Sequence, residues 1–233
     1  MELEAVIHER YSCRKYLPGE VPRPTIGKIL EMAQRAPSWC NTQPWQLVVL
    51  SGAACRRFGE RLYAHVRGGL PPKPDFEFPL RYEGDYRERR KACGVQLYQA
   101  LNIGREDKRA AAEQSLENFR FFGAPHVAFV TTEQDLGVYG AVDCGLYVAH
   151  FMLAAKSLGV DSIAQAALAS YPDFIRAEFG LAASRKMVCG IAFGFGDSGH
   201  AINGYRTARA NPADSYVDML LRADPARARA TTS

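Results

Sequence analysis

The chain has 233 residues, 47% of them hydrophobic and 23% charged, which is ordinary globular composition and excludes both wholesale disorder and a disulfide-stapled miniature. Its 29 basic and 25 acidic residues leave a formal net charge of +4; that balance suits an anionic small ligand and gives no reason to expect nucleic acid. A single domain over 1–233 is the simplest organisation at this length.

In chain order, a short helix precedes Arg10. After Val21 to Pro24, the residues Ile26, Ile29, Leu30 and Ala33 recur at helical spacing until Pro37, which predicts an amphipathic helix with one face on the core. The run Gln46 to Leu50 reads as a strand, and His126 to Thr131 and Lys186 to Phe195 read likewise. Helical patterns occupy Arg56 to Val66, Tyr86 to Ile103, Glu106 to Phe121 and Val138 to Leu158, the last apolar nearly all round and so read as a fully enclosed central helix. The interval Gly68 to Gly84, within a lid insert taken over about 68–90, interleaves Pro71, Pro72, Pro74 and Pro79 with Phe76, Phe78 and Tyr82. It is too proline-rich for a helix and too aromatic for a linker, so an ordered lid or interface loop is predicted. The folded unit should end near Leu221, and an Ala/Arg tail over 222–233 should fray. Three strands among more numerous helices, with no Gly-rich turn after the first strand, favour an α+β fold over a doubly wound parallel sheet.

The apolar stretch Cys144 to Ala155 is interrupted by His150 and falls short of the roughly 20 residues of a membrane span, so no membrane crossing is expected. The N-terminus lacks a secretory pattern, which makes the protein cytoplasmic by default. The six cysteines form no CxxC pair and the five histidines no HxxxH or HExxH pair, so no metal is expected and the thiols read as reduced. Gly194-x-Gly196-x-x-Gly199 satisfies a dinucleotide fingerprint, yet no helical pattern follows it. Cys40 reads as an inert packed thiol, and Phe119, Phe121 and Phe122 as core.

Two segments carry chemistry. In Arg10-Tyr11-Ser12-Cys13-Arg14, two guanidinium forks flank a hydroxyl; such a cluster can grip a phosphate, and it can equally be a solvated face. In Ala36-Pro37-Ser38-Trp39-Cys40-Asn41-Thr42-Gln43-Pro44-Trp45, two prolines constrain the backbone while short amides and hydroxyls offer partners to a planar heteroaromatic ring. A loop of turn residues carrying a core Trp would look the same.

Taken together, Arg10-x-Ser12-x-Arg14 with Pro37-Ser38-x-x-Asn41-x-Gln43-Pro44-Trp45 resembles the FMN-dependent nitroreductase family. Further matches are Asn118-Phe119-x-Phe121-Phe122-x-Ala124-Pro125, the helix over Asp143 to Gly159, Gln165-Ala166-Ala167-Leu168 and Asn203-x-x-Arg206-Thr207-x-Arg209. The resemblance covers about residues 5 to 220 and looks most like the nitrobenzene and nitrobenzoate reductase branch. It implies a nitroreductase-like fold, a mostly antiparallel or mixed sheet flanked by helices in an intertwined homodimer with FMN at the subunit interface. It places Arg10, Tyr11, Ser12 and Arg14 with Arg206 and Arg209 at the ribityl phosphate. Pro37, Ser38, Trp39, Asn41 and Gln43 would contact the ring from the other subunit, Gln165 and Ala166 would cover it near N5, and Asn118 would bond its pyrimidine edge or ribityl chain.

The activity so implied is ping-pong reduction of nitroaromatic or related electrophilic aromatics driven by NAD(P)H, a hydride transfer that requires no catalytic acid or base from the chain. Tyr82, Tyr86 and Arg87 could make a stacking wall with a cationic edge for a small anionic aromatic substrate; the same segment could instead clamp the partner. No reader of a ribose phosphate is visible, which leaves NADH and NADPH equivalent. The superfamily also contains biosynthetic dehydrogenases or oxidases and ene-reductases, and a flavin-binding module without turnover is the alternative outside enzymes.

Overall fold

The computed structural model describes residues 2–216; the predicted end near Leu221 and the tail at 222–233 lie outside the described residues. Four strands, β1 (Gln46–Ser51), β2 (His126–Glu133), β3 (Asp161–Gln165) and β4 (Arg185–Gly194), form a sheet in the order β1-β2-β4-β3, antiparallel at every junction. The helices are α1 (Leu3–Glu9), α2 (Arg23–Ala33), α3 (Gly52–Arg67), α4 (Gly84–Ala100), α5 (Lys108–Leu116), α6 (Gly137–Ser157) and α7 (Pro172–Phe179).

The sheet is the middle layer of three. Because side chains alternate along a strand, β2 sends Val127 and Phe129 into one core and Ala128 and Val130 into the other, and all four are fully buried. On the first face Phe129 meets Phe58 of α3 edge to face at 5.6 Å, with Leu62, Phe121 and Ile175 beside them. On the second, Ile26, Ile29 and Ala33 of α2 pack with Tyr147, Phe151 and Ala155 of α6. Each such large side chain contributes roughly 1.5–3 kcal/mol by leaving water.

Three sequence expectations change. A fourth strand, β3, was not anticipated, because Asp161-Ser162-Ile163-Ala164-Gln165 carries three polar residues in five. It lies at the sheet edge, where the outer side is closed by the chain at Ser12 and Cys13; the Cys13 N–H donates to Ser162 O at 3.2 Å. The helix predicted over Glu106 to Phe121 stops at Leu116 and continues as tight 3-10 turns over Glu117–Gly123, with Phe121 and Phe122 left-handed at φ 58° and 54°. At 3.6 residues per turn a regular helix would set Phe119 and Phe121 on nearly opposite sides, and burying all three phenylalanines in one core requires the break.

Helix α6, finally, is not enclosed within one copy of the chain. Cys144, Tyr147, Phe151 and Ala155 face the core, while Val138, Tyr139, Val142 and Leu146 are exposed, Val138 by 67%. Its apolarity serves two surfaces. By length and composition Gln134–Ser157 could cross a bilayer; its packing against the sheet and α2 accounts for the buried half of that apolarity.

Candidate functional site

The chain leaves α1 in an extended conformation at Arg10 and runs beside β3, while the segment after β4 returns to meet it. Buried Asn203 joins the two: its Oδ1 accepts from Arg14 N at 2.9 Å and its Nδ2 donates to Lys15 O and Asp197 O at 2.8 and 2.9 Å. The result is a cavity of about 400 Å³ lined by Arg10, Ser12, Arg14, Tyr205, Arg206 and Arg209 along with Tyr11 and, from α4, Cys93; no carboxylate lines it. Arg14 Nη1 donates to Ser12 O and to the Tyr205 hydroxyl at 3.2 and 3.3 Å. The Arg206 guanidinium lies 4.1 Å from the Tyr11 ring centre, and Arg209 Nη1 donates to Thr207 Oγ1 at 2.8 Å.

Burial first, and then the fields of Arg209 and Arg206, lower the pKa of Arg10 from its ordinary value. The three cations repel one another, and a dianion placed among them would remove that cost. Guanidinium forks with a hydroxyl and no carboxylate among the described lining residues match a phosphate monoester.

At the end of β3, Gln165 is buried and its Nε2 donates to Asn118 O and Oδ1 at 3.0 and 3.2 Å, so two predicted ring contacts far apart in sequence do meet. Gln165 Oε1 has no partner among the described residues. A buried acceptor left unpaired is costly, and a ligand donor would satisfy it. Ala166, next in the chain, is exposed.

The Pro37 to Gln43 segment is a separate construction. Cys40, Asn41 and Gln43 all take left-handed φ of 50°, 56° and 48°, a conformation unfavourable for residues with a Cβ. Side-chain bonds hold it. Ser38 Oγ accepts from Gln43 N at 3.0 Å, Gln43 Nε2 donates to Asn41 Oδ1 at 3.1 Å, and the Trp39 N–H donates to the buried Asp143 carboxylate of α6 at 3.2 Å. Trp39 is 59% exposed and meets Tyr139 edge to face; it is Trp45 that is buried, its Nε1 donating to Gln34 Oε1. Cys40 is exposed rather than packed, because the left-handed turn throws it outward. None of these loop residues lines the arginine cavity, so the two halves of the predicted site do not come together within one copy.

Tyr82, Tyr86 and Arg87 are all exposed and stand apart from the arginine cavity. The root of their insert is tied down: Tyr171 OH donates to Leu70 O at 3.2 Å, Lys73 N to Ser170 O at 2.9 Å, and buried Asp75 accepts from Arg176 Nη1 at 2.6 Å and Met187 N at 2.8 Å.

A model of the nitroreductase family matches residues 7–195. The chain belongs to the nitroreductase family. It is 38% identical over 215 residues to nitroreductase NfnB of Mycolicibacterium smegmatis, covering 91% of this chain and 90% of that one. It is 33% identical to 4-nitrobenzoate reductase of Nocardioides sp., covering 93% and 89%. The crystal structure of the FMN-dependent nitroreductase NfnB from Mycobacterium smegmatis in complex with NADPH superposes with a TM-score of 0.86 at 38% identity, covering 92% of this chain and 96% of that one.

For a nitroreductase-family chain, the Gly194-x-Gly196 pair has a packing reason. A Cβ at Gly194 would sit 2.6 Å from Pro125 Cδ, and one at Gly196 would sit 2.7 Å from the Tyr11 hydroxyl; only a short 3-10 turn, Ala201–Asn203, follows. Sequence reasoning missed Asn203 as the lock between the arginine segments, Tyr205 and Cys93 as cavity walls, and Asp143 as the loop's anchor. The available signals were Asp143, an acid inside a mostly apolar helix, and Asn203 at the head of its arginine motif, neither of which says what the side chain binds.

Proposed function

We propose that this chain is an FMN-dependent oxidoreductase that uses NAD(P)H to reduce nitroaromatic or related electrophilic aromatic acceptors, working as a cytoplasmic homodimer. The observation that carries the proposal is the meeting of Arg10, Arg14, Arg206 and Arg209 in one cavity with no carboxylate among its described lining residues.

Bound FMN would supply the redox chemistry linking the nicotinamide donor to the aromatic acceptor. The chain's part is to hold and orient. Arg10, Arg14 and Arg209, with Arg206, Ser12 and Tyr11, grip the phosphate, each charge-assisted bond contributing about 1.5–3 kcal/mol. Gln165 offers its free Oε1 to a flavin donor, Asn118 steadies Gln165, and exposed Ala166 leaves room for a flat ligand. Pro37, Ser38, Trp39, Asn41 and Gln43 serve the ring of the partner copy, which accounts for their separation from the arginine cavity and for the exposed stripe on α6. Tyr82, Tyr86 and Arg87 form the stacking wall and cationic edge for the acceptor. No side chain is assigned a proton-transfer role.

Purified protein should be yellow, bleach anaerobically on adding NADPH or NADH, and recover its colour with 4-nitrobenzoate. Colourless material that takes up no FMN and sediments as one chain overturns the proposal; colour that neither nicotinamide bleaches supports a flavin-binding module instead.

A further inference from the structure

Helix α4 buries none of its residues, and its exposed N-terminal half carries four cations in five positions: Arg87, Arg89, Arg90 and Lys91. Two are neutralised within the helix, Arg89 by Asp85 at 3.2 Å and Lys91 by Glu88 at 3.9 Å. Among the described residues Arg87 and Arg90 have no carboxylate partner. They stand three apart, on one side of the helix, where like charges work against helix stability. Arg90 lies with its guanidinium 5.2 Å from the centre of the Tyr82 ring, and Tyr86, four residues before it, shares that face. One turn beyond Arg90 comes Cys93, a wall of the arginine cavity. A patch with two surplus guanidiniums and an aromatic face thus begins one helical turn from the proposed flavin phosphate site.

A nicotinamide dinucleotide is longer than the flavin on which it would stack, so its adenosine end would extend past the flavin to elements beyond the cavity. NADPH and NADH differ there alone, by a 2′-phosphate dianion in place of a 2′-hydroxyl. Recognition of the hydroxyl favours a free carboxylate; Glu83, Asp85 and Glu88 have partners in Arg81, Arg89 and Lys91, and Asp214 lines a hollow with Arg81 and Arg89 that does not include Arg87 or Arg90. Recognition of the phosphate favours guanidinium forks.

We propose that Arg87 and Arg90, with Tyr82 as a stacking surface for adenine, form the 2′-phosphate subsite that makes the chain prefer NADPH to NADH. This rests on the reading of the chain as an NAD(P)H-driven flavoenzyme; Arg87 serves the acceptor only after the donor has left, as a ping-pong cycle allows.

The test uses the flavin-loaded protein and two redox-inert probes, 2′,5′-ADP and 5′-ADP, by calorimetry. The wild type should bind 2′,5′-ADP roughly tenfold tighter or more. Arg87→Ala with Arg90→Ala should abolish that difference and lower the ratio of kcat/KM for NADPH over NADH by a similar factor, with flavin content unchanged by absorbance. Arg90→Lys, keeping charge without the fork, should fall between. Equal binding of the two probes by a wild type that NADPH and NADH both bleach overturns this inference alone. A ratio unmoved in the well-folded double variant does the same, and a wild type that neither nicotinamide bleaches overturns the underlying reading with it.

Discussion

At the scale of single residues, the site is defined by charges that lack counter-charges. Arg10 is half-buried near Arg206 and Arg209 with its pKa lowered by burial first and then by their fields, a repulsion that a bound phosphate would remove. FMN at one hundred times its dissociation constant should stabilise the fold by about 2.7 kcal/mol and raise Tm by roughly 5 to 10 °C in a chain of this size. Arg10→Ala should weaken flavin retention by roughly 10- to 100-fold while leaving the flavin-free Tm unchanged or higher, as read by flavin fluorescence and a thermal melt. His126 shows the opposite economy, a buried polar group fully satisfied when neutral. The Val21 N–H donates to its Nε2 at 2.8 Å and its Nδ1 faces Ser51 Oγ at 2.9 Å, and burial lowers its pKa against the opposing pull of Glu20. With the native pKa depressed, the unfolded chain takes up a proton first, so this group costs no stability above about pH 6.5 and an increasing amount below it. Denaturant midpoints should fall between pH 7.5 and 5.5, and His126→Gln should flatten that fall.

At the scale of elements, the proline-rich insert is a strap with one fixed end. Asp75 joins it to α7 and β4 through a pair whose side chains are only 7% and 11% exposed, and the segment after it is exposed through α4's first turns. Asp75→Ala would leave the Met187 N–H without its acceptor and Arg176 with only Asp173 and the Arg185 carbonyl, a loss of about 1–3 kcal/mol. Trypsin should then cut faster at Arg81, by mass spectrometry, and Asp75→Asn should restore part of the protection because it keeps an acceptor. The periodicity of α2 was readable because it buries one face at helical spacing, and β2 because burial on both faces makes it a continuous run of buried residues. The 3-10 turns after α5 and the strand β3 were not, since the first exist to put Phe119, Phe121 and Phe122 into one core and the second is an edge strand whose neighbour is a segment 150 residues earlier.

At the scale of the whole molecule, one copy keeps three groups separate: the arginine cavity, the Gln165–Asn118 pair, and the strained loop braced on α6 by Asp143. The exposed stripe Val138, Tyr139, Val142 and Leu146 runs along that same helix, a continuous apolar surface of the kind a second copy covers. Val142→Glu with Leu146→Glu should give a single-chain species by sedimentation and a loss of bound flavin together, because the ring contacts would leave with the partner. A dimer that survives both charges would place the interface elsewhere.

The identity of the chemistry was present in the order of residues: arginines spaced around Ser12, a proline-bounded amide loop, and a second arginine pair near the C-terminal end are local patterns, legible because short-range spacing carries them. Their convergence was not. Asn203 drawing Arg14 toward Arg206, Gln165 finding Asn118, Asp143 bracing a left-handed loop, and Arg87 and Arg90 left over after their neighbours pair off all depend on distances between groups remote in the chain. Such distances are set by the packing of two cores on one sheet, and a linear pattern holds no record of them.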